Sequence, residues 1–199
     1  MHINDIVVYT KRSTPTQVIR PFSVISRECS QYLKESSGRP LYRSFTTQSN
    51  PIMENLYKIK VRHKKTTEPT LTEMYSEALV PKIRERSVFT HGTPRASQQN
   101  ETQFFIFPKD GYKYLYSKEI TDSSDDYKQV IDALIETVSY DKTYEIVTDM
   151  LKFTYSNKNL MEGIQEDAEI LFYNIPYFYA IPTNSCSSYE EVLKKIHGE

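Results

Sequence analysis

The sequence predicts an α+β fold, a single domain of helices and short, mostly antiparallel strands. Segments in which apolar residues recur every three or four positions predict helices, and segments in which they alternate with polar residues predict strands. The length of 199 residues is close to what one hydrophobic core holds. The 16 tyrosines and 9 phenylalanines suit half-buried sheet surface or stacking against a flat ligand. We expect one domain over 1–199, with 1–20 as an N-terminal arm and 185–199 as a C-terminal helix.

The first two predicted elements are a helix and a strand. Apolar residues form one stripe over 21–37, and a Gly-x-Pro sequence then ends the helix. In the strand at 41–45, alternation places Leu41, Arg43 and Phe45 on one face. Because the neighbouring residues on that face are apolar, the pattern directs Arg43 inward.

A basic strand is predicted at 56–62, where apolar and basic residues alternate. With the residues that follow, it makes one basic block: Lys58, Lys60, Arg62, Lys64 and Lys65. Such a block could contact the backbone of a nucleic acid. A solvated strand face is the more frequent reason for this pattern, so nucleic acid is not the favoured partner.

The middle of the chain predicts another helix and three strands. The helix begins at Thr70 as a cap and bends or ends at Pro81, and a short strand follows at 87–90. Two apolar strands, QFFIFP and KYLYS, are separated by Pro108, Lys109, Asp110 and Gly111. This composition is typical of a tight turn, so a hairpin is predicted.

The last third of the chain predicts helices on either side of two strands. Helical periods cover 125–155 in two pieces, and the strands AEILFYNI and YFYAIP lie around Pro176. Ser188 and Glu191 form a capping box at the start of the final helix.

Charge and cysteine content exclude several classes of protein. The formal net charge of −1 gives no overall field that would attract nucleic acid or an anionic membrane. No apolar run approaches the roughly 18 residues of a membrane span, and the N-terminus lacks a signal-peptide pattern, so a cytoplasmic location is expected. Cys29 and Cys186 lie far apart without metal-ligand spacing, which argues against disulfides and zinc; both are expected to be buried thiols.

Nucleotide and metal motifs are missing from the sequence. The four histidines have no HxH or HExxH spacing, so no metal is expected. With five glycines and no P-loop or G-x-G-x-x-G, a nucleotide would have to be held by side chains.

Candidate functional residues are polar groups placed in otherwise apolar strands. An inward Arg43 needs a carboxylate or phosphate partner, or else faces water on an edge strand. Asp167 and Glu169 could lie side by side on one face and act at a sugar carbon, or belong to a solvated strand start. Hydroxyls such as those of Ser87 and Thr90 are routine at strand ends.

The order of these residues resembles the mono-ADP-ribosyltransferases of the R-S-E type. In that family an aromatic-Arg pair, a hydroxyl motif and an acidic-x-Glu segment occur on successive strands, as Tyr42-Arg43, Ser87 or Thr90, and Asp167-Ala168-Glu169 do here. The chain is also similar to small, uncharacterised bacteriophage proteins over about 26–182. The similar segments are LYRS, RSVF and FPKDGYKYLYS.

The resemblance implies an ADP-ribosyltransferase-like split β-sandwich that uses NAD as a substrate and needs no metal. It implies that Arg43 holds the NAD phosphate or the nicotinamide ribose, with Tyr42 stacking and His91 beside the pocket. The hydroxyl of Ser87 or Thr90 would orient the catalytic glutamate.

Two further roles complete what the resemblance implies. Glu169 would accept a hydrogen bond from the ribose 2′-hydroxyl and stabilise the oxocarbenium-like transition state. Asp167 would orient or deprotonate the nucleophile of a macromolecular acceptor. For a phage protein, that acceptor would be a host protein in the host cytoplasm.

Departures from the family pattern leave a second hypothesis open. Ser44 replaces the glycine that commonly follows the arginine, the Ser-Thr-Ser motif is reduced, and Asp167 stands where arginine-modifying members have glutamate. The alternative is a catalytically inactive protein of the same scaffold that binds a host factor or sequesters a nucleotide.

Overall fold

The computed structural model describes residues 22–46, 56–61, 69–95, 101–120 and 122–198, which form helices and two sheets. The helices are α1 (Phe22–Glu28), α2 (Ser30–Glu35), α3 (Pro69–Ala78), α4 (Ile83–Arg86), α5 (Ser123–Ile135), α6 (Tyr140–Thr154), α7 (Leu160–Gln165) and α8 (Tyr189–His197). The strands are β1 (Tyr42–Thr46), β2 (Tyr57–Lys60), β3 (Val88–Thr90), β4 (Glu101–Pro108), β5 (Lys113–Ser117), β6 (Glu169–Tyr173) and β7 (Tyr177–Pro182).

The strands form two antiparallel sheets that meet at one residue pair. The four-stranded sheet has the order β1-β4-β7-β2, and the three-stranded sheet has the order β3-β6-β5. A bridge between Tyr42 and His91 joins edge strand β1 of the first sheet to the end of edge strand β3 of the second. The predicted α+β class, with short antiparallel strands, is confirmed.

Two hydrophobic clusters cover opposite faces of the three-stranded sheet. Ile170 and Phe172 of β6 belong to the cluster that the four-stranded sheet shares with α1, α2 and α8. Leu171, between them, belongs to a second cluster with Tyr75 of α3 and Leu151 of α6. Because both faces of β6 are buried, Ile170, Leu171 and Phe172 form a continuous apolar run rather than an alternating pattern.

The predicted hairpin between QFFIFP and KYLYS is wrong, because the two strands belong to different sheets. Strand β4 pairs with β1 and β7, whereas β5 pairs with β6. The residues between β4 and β5 instead hold this connection against α1 and α2: the amide of Asp110 donates to the carbonyl of Glu28 over 2.7 Å. The carboxylate of Asp110 accepts from the amide of Gln31 over 2.8 Å and from the hydroxyl of Ser30 over 2.7 Å.

Other predictions at the level of single elements differ in detail. The helix predicted over 21–37 is interrupted at Cys29, and the short helices α4 and α7 were not predicted. One half of the capping box is confirmed: the hydroxyl of Ser188 accepts from the amide of Glu191 over 3.3 Å, whereas the carboxylate of Glu191 accepts from the amide of Ser187 over 2.8 Å. Cys29 is completely buried as expected, but Cys186 is only half-buried, because the loop before α8 leaves it partly open.

Two further observations concern termini and membranes. The arm expected over 1–20 lies outside the described residues. Among the helices that are described, none combines the length and the apolar character that a membrane crossing requires.

Candidate functional site

Arg43 lies on the inner face of β1, as the alternation predicts. Leu41 and Phe45 on the same face are buried, and the guanidinium carbon lies 5.3 Å from the centre of the Phe45 ring. Nη1 of Arg43 donates to the carbonyl of Phe89 over 2.8 Å. Nε is buried and has no hydrogen-bond partner among the described residues. Burial lowers the pKa of Arg43 to about 10, and the negative charge of Glu169 opposes this change.

Glu169 is the first residue of β6 and is 5% exposed. Its carboxylate accepts hydrogen bonds from both the hydroxyl and the backbone amide of Ser123, the first residue of α5. The other oxygen, Oε1, is buried without a partner in the described part of the chain. Burial raises the pKa of Glu169 to about 7, although the bonds from Ser123 and the charge of Arg84 lower it.

Three neighbouring strands bring Arg43 and Glu169 to the same region. Strand β1 meets β3 at the Tyr42–His91 pair, and β3 pairs with β6 with Thr90 opposite Ile170. The next position in this antiparallel register places His91 opposite Glu169. The strands that carry Arg43, Thr90 and Glu169 follow one another in this order along the chain, and they are also neighbours in space.

His91 lies at the junction between the two sheets. Its Nδ1 is buried and has no partner within the described residues. Burial, together with the positive charges of Arg95 and Arg43, lowers the pKa of His91 to about 4. At neutral pH the imidazole is therefore uncharged and can act as a hydrogen-bonding group but not as a cation.

Asp167 does not lie beside Glu169 on one strand face, so that prediction is wrong. Strand β6 begins at Glu169, and Asp167 precedes it with a left-handed φ of 52°, which breaks the alternation. Oδ1 of Asp167 accepts from the amide of Thr93 over 3.1 Å, and Oδ2 lies 3.8 Å from Nη2 of Arg95. Asp167 thus holds the loop after β3 rather than pairing with Glu169.

The two hydroxyls predicted to orient Glu169 have other surroundings. Ser87 precedes β3 at the end paired with Phe172, and its buried hydroxyl has no partner in the described residues. Along an antiparallel ladder this is about 13 Å from the Glu169 end. Thr90 is nearer, but its hydroxyl donates to the carbonyl of Ile170 over 3.3 Å.

Tyr42 is half-buried, and its ring packs 5.4 Å from that of Phe105. This packing against the four-stranded sheet gives the ring a structural role. The stacking against a ligand that the resemblance implies for Tyr42 stays a prediction.

Sequence reasoning missed three residues of this region: Ser123, Arg84 and Arg95. Arg84 donates from Nη1 to the hydroxyl of Ser123 over 3.1 Å. These residues lie on α5, on α4 and in the loop after β3, so neither strand alternation nor motif spacing selects them. A weak signal existed in Asp122-Ser123, two capping-type residues before a helical period.

The basic block is described only in part. Lys58 and Lys60 are exposed on β2, and the ammonium of Lys58 lies 3.7 Å from the centre of the Tyr177 ring. Arg62, Lys64 and Lys65 lie outside the described residues. Contact of the block with a nucleic acid therefore stays a prediction.

A shallow pocket lies away from these residues. Its volume is about 300 Å³, and its walls include Tyr114 and Tyr173. In the β5–β6 ladder Tyr173 pairs with Lys113, whereas Glu169 pairs with Ser117 at the other end. Within the described ranges, no group of three or more His, Cys, Asp or Glu side chains is arranged to hold a metal ion.

No protein-family model, curated protein or solved structure was found to match the chain. Function is therefore inferred from the residues themselves. The most informative group is Arg43, His91, Arg95 and Glu169, because each has a buried polar atom without a partner among the described residues.

Proposed function

We propose that the protein is an NAD-dependent mono-ADP-ribosyltransferase that transfers ADP-ribose to a macromolecular acceptor, a host protein. The observation that carries this proposal is the adjacency of β1, β3 and β6, which brings Arg43 and Glu169 into electrostatic contact. In this proposal the two sheets are the split β-sandwich that the resemblance implies.

The unpartnered atoms match the chemistry of such a substrate. A ribose phosphate has oxyanion oxygens, which accept from Nε of Arg43, and hydroxyls, which donate to Oε1 of Glu169. Buried polar atoms in a folded protein are normally satisfied, so a group of unsatisfied ones favours a ligand that completes them. Nε of Arg95 and Nδ1 of His91 would extend the same polar surface.

In the reaction, the bond between nicotinamide and the ribose C1′ breaks and nicotinamide leaves with the bonding electrons. The ionised carboxylate of Glu169 stabilises the positive charge that develops on the ribose. The acceptor nucleophile then forms a bond to C1′ and loses its proton to a nearby carboxylate. Asp167 is the candidate for that proton, although its bonds to Thr93 and Arg95 must rearrange first.

Burial of Glu169 favours a second candidate function, that of an inactive protein with this scaffold. Only 5% of Glu169 is exposed, and Nη1 of Arg43 is already bonded to the carbonyl of Phe89. A protein in which these groups only support the fold would bind a host factor without turning over NAD.

The test is incubation of the purified protein with adenylate-labelled NAD and a bacterial lysate, with nicotinamide release measured in parallel. We expect labelled acceptor and released nicotinamide with the wild type, and loss of both with Glu169→Gln and Arg43→Lys. Glu166→Gln is the matched control, because Glu166 is exposed three residues earlier. Absence of label and of NAD binding by calorimetry would favour the inactive protein.

A pH profile adds a second criterion. Because the pKa of Glu169 is raised to about 7, nicotinamide release should increase as pH rises through 7 and the carboxylate ionises. A profile that is flat between pH 6 and 8 would count against Glu169 as the stabilising carboxylate.

A further inference from the structure

We propose that Ser123 is the residue that positions Glu169, and that Arg84 fixes the direction of the Ser123 hydroxyl. This inference rests on the proposed function for its catalytic meaning, but its geometry stands independently. The resemblance assigns this role to Ser87 or Thr90, whereas the hydroxyl that acts on the carboxylate comes from α5. The backbone places the two together, because the amide of Glu169 donates to the carbonyl of Ile120, three residues before Ser123, over 3.2 Å.

The direction of the Ser123 hydroxyl follows from its two partners. A guanidinium can only donate, so the bond from Nη1 of Arg84 makes Oγ of Ser123 an acceptor. The hydroxyl proton is then available for Glu169, which also receives the Ser123 amide. Two donors from one residue hold one side of the carboxylate.

Arg84 is itself held in place. Its guanidinium carbon lies 4.9 Å from the centre of the Tyr75 ring and 5.8 Å from that of Phe89. Contact with two aromatic rings limits the orientations that the planar guanidinium of Arg84 can take, and it would limit a flexible lysine ammonium less. The chain of contacts runs from these rings through Arg84 and Ser123 to Glu169.

The start of α5 supports the same arrangement. Ser123 is 1% exposed, and Oδ1 of Asp122 accepts from the amide of Asp125 over 3.3 Å. Because Asp122 caps the helix, a change of the Ser123 side chain leaves the helix start intact. The first amides of this 13-residue helix favour a negative charge at Glu169.

This arrangement leaves Oε1 of Glu169 as the oxygen that can accept a substrate hydroxyl. When protein donors hold one oxygen of a carboxylate, the direction of the other oxygen is also fixed. A catalytic carboxylate requires such a fixed direction. Charge interactions also link the pKa of Glu169 to those of its neighbours, which are Arg43, Arg84, Asp122, Tyr75, Tyr127 and Tyr155.

The first test measures the titration of Glu169 by carbon NMR of the carboxyl group, without NAD. Ser123→Ala should move the midpoint upward by about one pH unit, because the ionised form loses a charge-assisted bond. Ser123→Thr, which keeps a hydroxyl, should stay near the wild type. Ser87→Ala and Thr90→Val are the matched controls and should cause no shift. An unchanged midpoint in Ser123→Ala, or a shift in either control, would overturn the proposal.

The second test uses nicotinamide release. Ser123→Ala should lower kcat roughly ten- to a hundredfold with little change in KM, as expected for a lost positioning bond. Wild-type protein without activity would refute the proposed function but not the positioning, which the titration tests alone. An active wild type with an equally active Ser123→Ala variant would refute the positioning role alone.

Discussion

Tyr42 and His91 exchange two backbone hydrogen bonds, of 2.8 Å from the Tyr42 amide and 3.1 Å from the His91 amide. This pair is the point at which the two sheets join, and Arg43 and Gly92 follow it directly in sequence. A displacement of the loop that begins at His91 would therefore change the distance between Arg43 and Glu169.

Gly92→Ala should destabilise the fold by about 3 kcal/mol. A Cβ at this position would lie 1.9 Å from the carbonyl oxygen of Ile164 at the end of α7. The carbonyl belongs to the backbone and a Cβ is fixed directly to it, so no side-chain rotation can relieve the contact. Urea unfolding followed by circular dichroism measures the change.

The neighbouring variant Thr93→Ala is the control for this prediction. The side chain of Thr93 is exposed and only its amide bonds to Asp167, so the free energy of unfolding should change by less than about 0.5 kcal/mol. Equal stability of Gly92→Ala and Thr93→Ala would mean that α7 does not pack against this loop.

Glu169→Gln should change how stability depends on pH. Because burial raises the pKa of Glu169 from 4.5 to about 7, the folded protein keeps a proton that the unfolded chain releases. This contribution to stability is complete below pH 4.5 and is lost as pH rises to 7. The free energy of unfolding of the variant, relative to wild type, should therefore rise by on the order of 3 kcal/mol across that window.

Urea titrations at several pH values between 4 and 8 measure this difference. Glu166→Gln, on the exposed turn before β6, should give a difference that is nearly independent of pH. A pH-independent difference for Glu169→Gln as well would show that Glu169 titrates like a solvated carboxylate.

His91→Gln should show the opposite dependence. Burial and the charges of Arg95 and Arg43 lower the pKa of His91 from 6.5 to about 4, so the unfolded chain binds a proton before the folded protein does. Its contribution to stability is present above pH 6.5 and is lost as pH falls to 4.

The variant should therefore gain on the order of 3 kcal/mol relative to wild type as pH falls through this range. Proton NMR of the imidazole checks the pKa directly in the wild type. A His91 midpoint near 6.5 would contradict the prediction. Since the slopes for His91 and Glu169 have opposite signs, they largely cancel in the wild type.

Asp110→Ala should cost about 1 kcal/mol of stability, as the loss of a helix N-cap does. The carboxylate of Asp110 accepts from the amide of Gln31 and the hydroxyl of Ser30 at the start of α2, and the side chain of the N-cap residue Cys29 makes no capping bond to the helix. Asp110 thus caps a helix that is about 80 residues distant in sequence.

Thermal unfolding of Asp110→Ala and Asp149→Ala provides the comparison. Among the described residues, the side chain of Asp149 makes an exposed ion pair with Lys152, at 3.1 Å, and no other bond, so its removal should cost less than about 0.5 kcal/mol. Equal melting temperatures of the two variants would argue against the capping role of Asp110.

Much of the local structure could be predicted from the sequence. Strands KYLYS and YFYAIP coincide with β5 and β7, and the capping box at Ser188 marks the start of α8. The inward direction of Arg43 followed from alternation on β1. These features depend on residues within a few positions of each other, which is why local periodicity and capping patterns were sufficient.

The rest of the candidate site could not be predicted in this way. The contact between Ser123 and Glu169 joins the start of α5 to the start of β6. Asp167 has a left-handed backbone conformation outside any strand, and this conformation decides which groups its carboxylate contacts. No periodicity encodes contacts between elements that are distant in sequence.

The sequence by itself determined the position of the strands and of the longer helices, and that one arginine points inward, but not the short helices α4 and α7. Only the tertiary structure decided that β4 and β5 belong to different sheets, that β1 and β3 meet at Tyr42 and His91, and that Ser123 contacts Glu169. The reason is that an alternating pattern states which side of a strand is buried but is equally compatible with many partners. The choice among partners is made by the packing of the two hydrophobic clusters on either side of β6.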